Sequence, residues 1–304
     1  MNFAQRVLSA MVGLVSLLTG CSSKEPYQQR NGVWTFEDQP ITLQPGEHLT
    51  PLIASFAKTE RHGYFRGLPL ETSDGGSFEA LDEHYAKDRQ WVYYCDAYRV
   101  SQDYFSSPRR RVNVLEADPA SFKILKTGYA RDAKKLFFEG QPFPVKDLNS
   151  FEILEYGFAR DRISGYYQQT IIPGSNGGNF AVLDNHYSKD NAHVFYSYND
   201  LNTSPVVLRH QRLDGAMPDS FTTLESGYAK DAKRVYHNGK PLAGGASFEV
   251  LSLGYAKTDR QVFYDGKPVT AADAKSFVML ETVTEQADSK DSRASYQQGR
   301  KVSK

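Results

Sequence analysis

One repeated pattern constrains the fold of this chain more than any other feature of its sequence. A Phe follows a Ser or Asn in seven copies, and a Leu follows three residues after each Phe. In the first six copies an aromatic residue comes four positions after the Leu, followed by Ala or Ser, a cation and, in most copies, Asp. The leading residues are Phe78, Phe122, Phe151, Phe180, Phe221, Phe248 and Phe277. Repetition at a nearly fixed period of about 29 residues is typical of repeat architectures.

An earlier copy between Leu49 and Phe65 keeps only part of the pattern, so we expect about eight units in all. Aromatic residues make up 13% of the chain and suit half-buried strands. We therefore predict a mainly β fold, in which each unit contains a helical turn and short antiparallel strands or hairpins. Units this small must stack on their neighbours to bury apolar surface, as in a solenoid-like array. A propeller-like closed arrangement is the alternative.

Each part of the unit has a structural interpretation. In the stretch before Phe122, Asp118 is expected to cap a helical turn with Pro119 at its first position. A strand carrying the Leu and the aromatic residue is expected next. The Asp that follows, as in Asp161, is expected to turn the chain by accepting a hydrogen bond from the backbone two residues later. Asn238-Gly239 predicts a tight hairpin after the following strand. The recurrent cation is expected to lie over a neighbouring ring.

The repeats resemble the DKNYY family of bacterial repeat proteins. The matching stretches are YAKDRQWVYY (85–94), YSKDNAHVFY (187–196), YAKDAKRVYHNGKPL (228–242) and YAKTDRQVFYDGKPV (255–269). The resemblance covers residues 48–282, and one copy departs from it because Thr258 stands where Asp is expected. The family implies an architecture and no known activity.

The N-terminus predicts an export signal. Arg6 precedes an apolar run, Val7 to Leu18, which is too short to span a bilayer. The run ends in Leu18-Thr19-Gly20-Cys21, which resembles the lipobox of bacterial lipoproteins. In that family the cysteine carries fatty acyl chains, and several chains give a lasting membrane anchor. The resemblance implies a lipid anchor on Cys21 and a location in the bacterial envelope, at the outer membrane, facing the periplasm or the cell surface. An ordinary secretory signal is the alternative.

These observations divide the chain into four segments. Residues 1–20 are expected to be a signal peptide, residues 21–46 the lipidated cysteine and a polar tether, residues 47–282 the repeat domain, and residues 283–304 a degenerate cap with a disordered tail. The repeat domain reads as a duplicated triplet, about 78–179 and 180–276, because the offsets between matching copies are close to 100 residues.

Two insertions carry the candidate binding residues. The copies that begin at Phe78 and Phe180 lack the tight turn and carry long hairpins instead. Insertions on a repeat array often form its binding face, and aromatic residues with Arg suit partner surfaces. The candidates are Tyr98, Tyr104, Arg109, Arg110, Arg111, Arg209, His210 and Arg212, together with the recurring histidines His84 and His186 beneath the hairpins. One alternative is that the hairpin tips are solvated and bind no ligand. The other is that each histidine only hydrogen-bonds a local carbonyl.

Other functions lack a sequence signature. The chain has 36 basic and 36 acidic residues, so its formal net charge is zero. A chain without net charge has no overall electrostatic attraction for nucleic acid. No catalytic motif, metal-ligand spacing or cofactor motif is present in the expected mature chain, and Cys95 is expected to be a small buried core residue. We therefore expect a non-catalytic scaffold that binds an envelope protein. A glycan- or peptidoglycan-binding module with exposed tyrosine rows is the alternative, and an envelope enzyme is less favoured.

Overall fold

Short antiparallel strands account for nearly all regular structure in the computed structural model, which describes residues 25–53, 55–99, 108–126, 128–242 and 247–302. The strands form nine small sheets, one with three strands and eight with four, and each sheet follows the order of the chain. The predicted mainly β fold is confirmed. The residues fall into two compact units, which divide the chain between Ile124 and Leu125.

The N-terminal unit contains three sheets. The first is formed by β1 (Tyr27–Arg30), β2 (Val33–Phe36) and β3 (Gln39–Pro40). The second is formed by β4 (Thr50–Pro51), β5 (Phe56–Lys58), β6 (Gly63–Phe65) and β7 (Leu68–Pro69). The third is formed by β8 (Glu79–Ala80), β9 (Tyr85–Lys87), β10 (Val92–Tyr98) and β11 (Arg109–Leu115).

The C-terminal unit contains the other sheets. The fourth sheet is formed by β12 (Lys123–Lys126), which spans the boundary, β13 (Tyr129–Arg131), β14 (Leu136–Phe138) and β15 (Gln141–Phe143), and the fifth by β16 (Glu152–Ile153), β17 (Phe158–Arg160), β18 (Gly165–Tyr167) and β19 (Thr170–Ile171). The sixth sheet is formed by β20 (Ala181–Val182), β21 (Tyr187–Lys189), β22 (Val194–Asp200) and β23 (Val207–Arg212), and the seventh by β24 (Thr222–Thr223), β25 (Tyr228–Lys230), β26 (Val235–His237) and β27 (Lys240–Leu242). The eighth sheet is formed by β28 (Glu249–Val250), β29 (Tyr255–Lys257), β30 (Val262–Tyr264) and β31 (Lys267–Pro268), and the ninth by β32 (Val278–Met279), β33 (Ser289–Lys290), β34 (Ser295–Gln297) and β35 (Arg300–Val302). Short 3-10 helices span Leu148–Ser150, Gly177–Asn179 and Pro218–Ser220.

Two predicted boundaries are wrong. Residues 27–40 do not form a tether, because β1, β2 and β3 pair there and Tyr27 and Phe36 are buried. Residues 289–302, in the segment predicted as a degenerate cap with a disordered tail, are ordered, because β33, β34 and β35 pair in register and Tyr296 is fully buried. Both segments bury aromatic side chains, and this burial supplies the free energy that a polar tether or tail would lack.

The predicted strand that carries both Leu and the aromatic residue is divided in two. In the repeat that starts at Phe151, Tyr156 and Gly157 have positive φ angles of 54° and 78° and turn the chain between β16 and β17. The recurrent Leu lies at the end of the first strand and is only half-buried, as Leu154 shows. The second turn of the unit matches the prediction, since Asn238 and Gly239 both have positive φ angles, as a tight type I′ hairpin requires.

The recurrent Asp closes its strand as predicted. Asp161 is nearly fully buried, and its Oδ1 accepts hydrogen bonds from the backbone N–H groups of Ile163 and Ser164 at 2.7 and 2.8 Å. Its Oδ2 accepts from the N–H groups of Lys146 and Asp147 and from the Tyr166 hydroxyl. Burial opposes ionisation of Asp161, but these donors outweigh it and lower its pKa.

Neighbouring repeats share an interior within each unit, which confirms the expected role of the rings. Phe56 and Phe78, from successive repeats of the N-terminal unit, lie 6.2 Å apart between ring centroids. In the C-terminal unit the corresponding distance between Tyr187 and Phe221 is 5.5 Å. Cys95 is buried in the first of these interiors, as predicted.

In the described contacts, the recurrent cation bonds a backbone carbonyl and does not lie over a ring as expected. In several repeats it donates a hydrogen bond to a backbone carbonyl in the turn that begins the next repeat. Lys58 donates to the carbonyl of Phe78 at 3.1 Å, and Arg160 donates to the carbonyl of Phe180 at 3.0 Å. A carbonyl at the end of a short turn lacks an intrahelical partner, so the cation satisfies it.

Candidate functional site: two long hairpins

The first long hairpin is a seven-residue ladder between β10 and β11. Tyr98 pairs with Arg109, Ala97 pairs with Arg110, and Asp96 pairs with Arg111. Residues that pair across a ladder share a face of the sheet, and successive residues alternate between faces. The three consecutive arginines are therefore divided: Arg109 and Arg111 share one face with Tyr98, and Arg110 lies on the other. Tyr104 lies outside the described residues.

The outer face of this hairpin carries an aromatic ring, cations and one carboxylate. Tyr98 is 43% exposed. Arg111 donates to Asp96 at 2.6 Å, and its guanidinium lies 6.0 Å from the centroid of the Tyr98 ring. The ion pair holds the guanidinium beside the ring, so the face presents an ordered group to solvent.

The second long hairpin repeats this chemistry. Tyr198 pairs with Arg209 across β22 and β23, and the guanidinium of Arg209 lies 3.6 Å from a carboxylate oxygen of Asp200. Each hairpin thus places Tyr, Arg and Asp on a common face. The predicted group of Arg209, His210 and Arg212 is divided, because His210 and Arg212 lie on the opposite face.

His210 lies against the preceding repeat. Its Nδ1 lies 3.0 Å from the Ser197 hydroxyl, its ring is 6.4 Å from that of Tyr167, and its Nε2 is buried without a hydrogen-bond partner among the described residues. Burial lowers the pKa of His210. This histidine is thus a neutral packing residue near neutral pH.

His84 and His186 have a structural role in the hairpins. The Nδ1 of His84 lies 3.1 Å from the carbonyl oxygen of Cys95, and the Nδ1 of His186 lies 2.9 Å from the carbonyl oxygen of Ser197. The backbone N–H groups of Cys95 and Ser197 donate in turn to the carbonyls of the two histidines. These contacts occupy the place where other repeats have a tight turn, which agrees with the alternative of a local carbonyl bond.

A pocket beside Arg110 was missed by the sequence analysis. It has a volume of about 280 Å³ and lies in the N-terminal unit between the first sheet, the β6–β7 turn and the start of β11. Phe36, Arg66 and Arg110 line it, and Glu37 pairs with Arg66 at 2.6 Å. Most of these residues precede the resemblance or fall in its eroded first copy, so the repeat pattern could not find them.

Other classes of site were sought in the described residues. No group of three or more His, Cys, Asp or Glu side chains there is arranged to hold a metal ion. No helix in the same residues is long and apolar enough to cross a bilayer. Cys21 lies outside the described residues.

The chain was compared with protein-family models, with curated proteins and with solved structures. None of the three comparisons found a match.

Proposed function

We propose that the chain is a non-catalytic binding module of the bacterial envelope, anchored through lipid on Cys21, whose repeats form a solenoid-like array that presents the two long hairpins to a protein partner. One observation carries the proposal. The recurrent Tyr, Phe and Asp residues are used in the core and in turns, whereas Tyr98, Arg109 and Arg111 lie on an exposed face of a paired ladder. Aromatic and Arg side chains on a rigid strand are typical of protein interfaces.

The repetition of this group supports a binding role. Tyr198, Arg209 and Asp200 form a second set with the same chemistry on an equivalent ladder. In both copies a guanidinium pairs with a carboxylate on the face of the ladder that carries the Tyr.

The glycan-binding alternative needs several exposed tyrosines along one surface. Among the described tyrosines only Tyr98 and Tyr156 are exposed, and the others are buried or half-buried. The Tyr rows that would stack on sugar rings are therefore in the core. This distribution favours the protein-binding proposal over the alternative.

A substitution on the hairpin face tests the proposal. Full-length chain with Tyr98→Ser, Arg109→Ser and Arg111→Ser is expressed in its lipidated form, cross-linked in cells and purified, and the partners are identified by mass spectrometry. The expected result is loss of at least one abundant envelope protein that wild type captures. The matched control is Arg89→Ser, an exposed Arg on a turn of the same repeat. An unchanged set of partners would contradict the proposal.

Anchoring is tested separately. The Cys21→Ala chain is expected to leave the membrane fraction for the soluble fraction after cell lysis, because the acyl chains that hold it are lost. Retention of this variant in washed membranes would contradict lipidation at Cys21 without bearing on the hairpin face.

A further inference from the structure

Arg110 is a half-buried cation that has no carboxylate partner among the described residues. Its Nε is buried and has no hydrogen-bond partner among the described residues, and its guanidinium contacts the ring of Phe65 at 5.9 Å from the centroid. Burial lowers the pKa of Arg110, and the nearby charge of Arg66 acts in the same direction. Removing an arginine from water without a carboxylate to pair with it is costly, so its retention requires an explanation.

The described groups nearest Arg110 supply no negative charge. Burial raises the pKa of Cys95 to about 12 and also raises the pKa of Tyr27, so both remain neutral. The one carboxylate that lines the pocket, Glu37, pairs with Arg66 instead. Among the pocket residues that the structure describes, two guanidinium groups therefore face one carboxylate, which leaves one positive charge unmatched.

The pocket also has an apolar floor. Phe36 and Ile41 are 4% and 7% exposed, and both line it. Arg66 stacks over Phe36 at 4.9 Å from the ring centroid, which fixes its guanidinium above this floor. A ligand in the pocket would thus meet both guanidinium groups and apolar side chains.

The fold of the hairpin does not require this arginine. Val112 pairs with Cys95 in the first hairpin, and His210 pairs with Ser197 in the second. Counting two residues toward the tip from these pairs places Leu208 of the second hairpin at the position of Arg110. An apolar residue therefore serves the same ladder position in the same chain.

From these observations we propose that this pocket binds a small monocarboxylate, whose carboxylate pairs with Arg110 and whose short apolar group lies on Phe36 and Ile41. A single negative charge neutralises the pocket, whereas a phosphate dianion would overcompensate it. The planar guanidinium fork matches the two carboxylate oxygens. The proposal goes beyond the hairpin function and does not depend on it, since Arg110 lies on the opposite face from Tyr98.

Titration of the full chain with matched probes tests this inference. The probes are isovalerate, its neutral isostere isovaleramide, inorganic phosphate, and N-acetyl-glycyl-leucine as a chain-terminal carboxylate. Binding is followed by two-dimensional NMR of backbone amides and by the melting midpoint. We expect isovalerate to shift the amides of Gly67 and Arg110 and to raise the midpoint, and isovaleramide to do neither. A response to the peptide acid alone would identify a chain terminus as the source of the carboxylate and would also support the proposal.

Three variants locate the binding. Arg110→Leu copies the second hairpin and is expected to keep its fold, raise the midpoint without ligand and weaken isovalerate binding by about tenfold or more. Glu37→Gln removes the competing carboxylate and is expected to strengthen binding, so it tests the site even if Arg110→Leu does not fold. Arg89→Leu, at an exposed Arg outside both proposed sites, is the control and should bind isovalerate as wild type does.

Three results would overturn the proposal. One is equal binding of isovalerate and isovaleramide, or binding of neither carboxylate. Another is unchanged isovalerate affinity in a folded Arg110→Leu chain or in Glu37→Gln. The third is phosphate binding as tight as that of isovalerate, which would indicate a general anion site.

Discussion

The phenol oxygen of Tyr187 accepts a hydrogen bond from the backbone N–H of Gly239, in the tight turn of the next repeat, at 2.8 Å. Equivalent links join Tyr228 to Gly266 at 3.0 Å and, within the N-terminal unit, Tyr27 to Gly67 at 3.0 Å. Each link joins the first residue of a strand in one sheet to the tight turn of the next sheet along the chain. It therefore fixes the distance between the two sheets.

Two repeats have Phe instead of Tyr at this position, and in both cases the next repeat carries a long hairpin. Phe56 precedes the repeat that starts at Phe78, and Phe158 precedes the one that starts at Phe180. A long hairpin has no tight turn at this place to donate the N–H. The choice between Phe and Tyr is thus explained by the turn of the following repeat.

We expect Tyr187→Phe to destabilise the chain by about 2 kcal/mol, because the N–H of Gly239 would stay buried without an acceptor. Urea denaturation, followed through the unfolding transition of the C-terminal unit, measures the change in the free energy of unfolding. Tyr98→Phe, at an exposed ring, is the control and should stay within about 0.5 kcal/mol of wild type. Equal stability of the Tyr187→Phe and wild-type chains would show that this link contributes nothing.

Replacement of the buried turn carboxylate is expected to cost about 3 kcal/mol. In Asp161→Asn the amide group cannot accept the donors that meet Oδ2, so at least one buried donor is left unpaired. Urea denaturation at neutral pH measures this loss, and Asp219→Asn, at an exposed carboxylate, is the control.

The difference in stability between wild type and Asp161→Asn is expected to depend on pH. The folded pKa of Asp161 lies below its ordinary value of 3.8, so its contribution is present above that pH and is lost as the pH falls through the folded pKa. The difference in stability between wild type and Asp161→Asn should therefore shrink in acid below about pH 3.8. A difference that stays constant down to pH 2 would contradict the role of the ionised carboxylate.

The ring of Phe180, in the next repeat, leaves no room for a side chain at Gly165. A Cβ atom at this position would lie 2.5 Å from the Phe180 ring, and no positive φ angle contributes to the effect. We expect Gly165→Val to destabilise the chain by about 3 kcal/mol through overpacking. Thermal denaturation of a double-mutant cycle with Phe180→Ala should recover part of the loss, since the smaller side chain leaves room. Simple additivity of the two losses would contradict this contact.

His210 should make stability depend on pH in the mildly acid range. Its folded pKa lies below the ordinary 6.5, so the unfolded chain takes up protons first and stability is lost as the pH falls below about 6.5. We expect His210→Val, which introduces the residue found at Val112, to flatten the slope between pH 7 and pH 5. Buried His237 leaves a residual slope. His48→Gln, at an exposed ring, is the control, and an unchanged slope in His210→Val would contradict the prediction.

The repeat pattern was sufficient to predict the strands, the buried rings and the turn role of Asp, because these depend on local chemistry that recurs. It missed the first sheet, where β1 and β2 have no Phe-x-x-Leu signature. It also placed the cation wrongly, since the carbonyl that receives Lys58 belongs to the next repeat and lies 20 residues away.

The candidate residues were predicted only as a set. The sequence indicated that the arginines cluster in the hairpins, and the ladder register then separated Arg110 from Arg109 and Arg111. The pocket could not be predicted, because it depends on Glu37 and Arg66, which are 29 residues apart and meet only in the folded chain.

The carbonyl and N–H exchange between His84 and Cys95 closes the core side of the first hairpin before the exposed ladder begins. Residues could thus be added or removed in pairs beyond this point while the packed rings behind it keep their neighbours. Selection on the contacts that the hairpin makes would then be uncoupled from selection on folding. Related chains can therefore diverge most rapidly at the hairpin tips and remain equally stable.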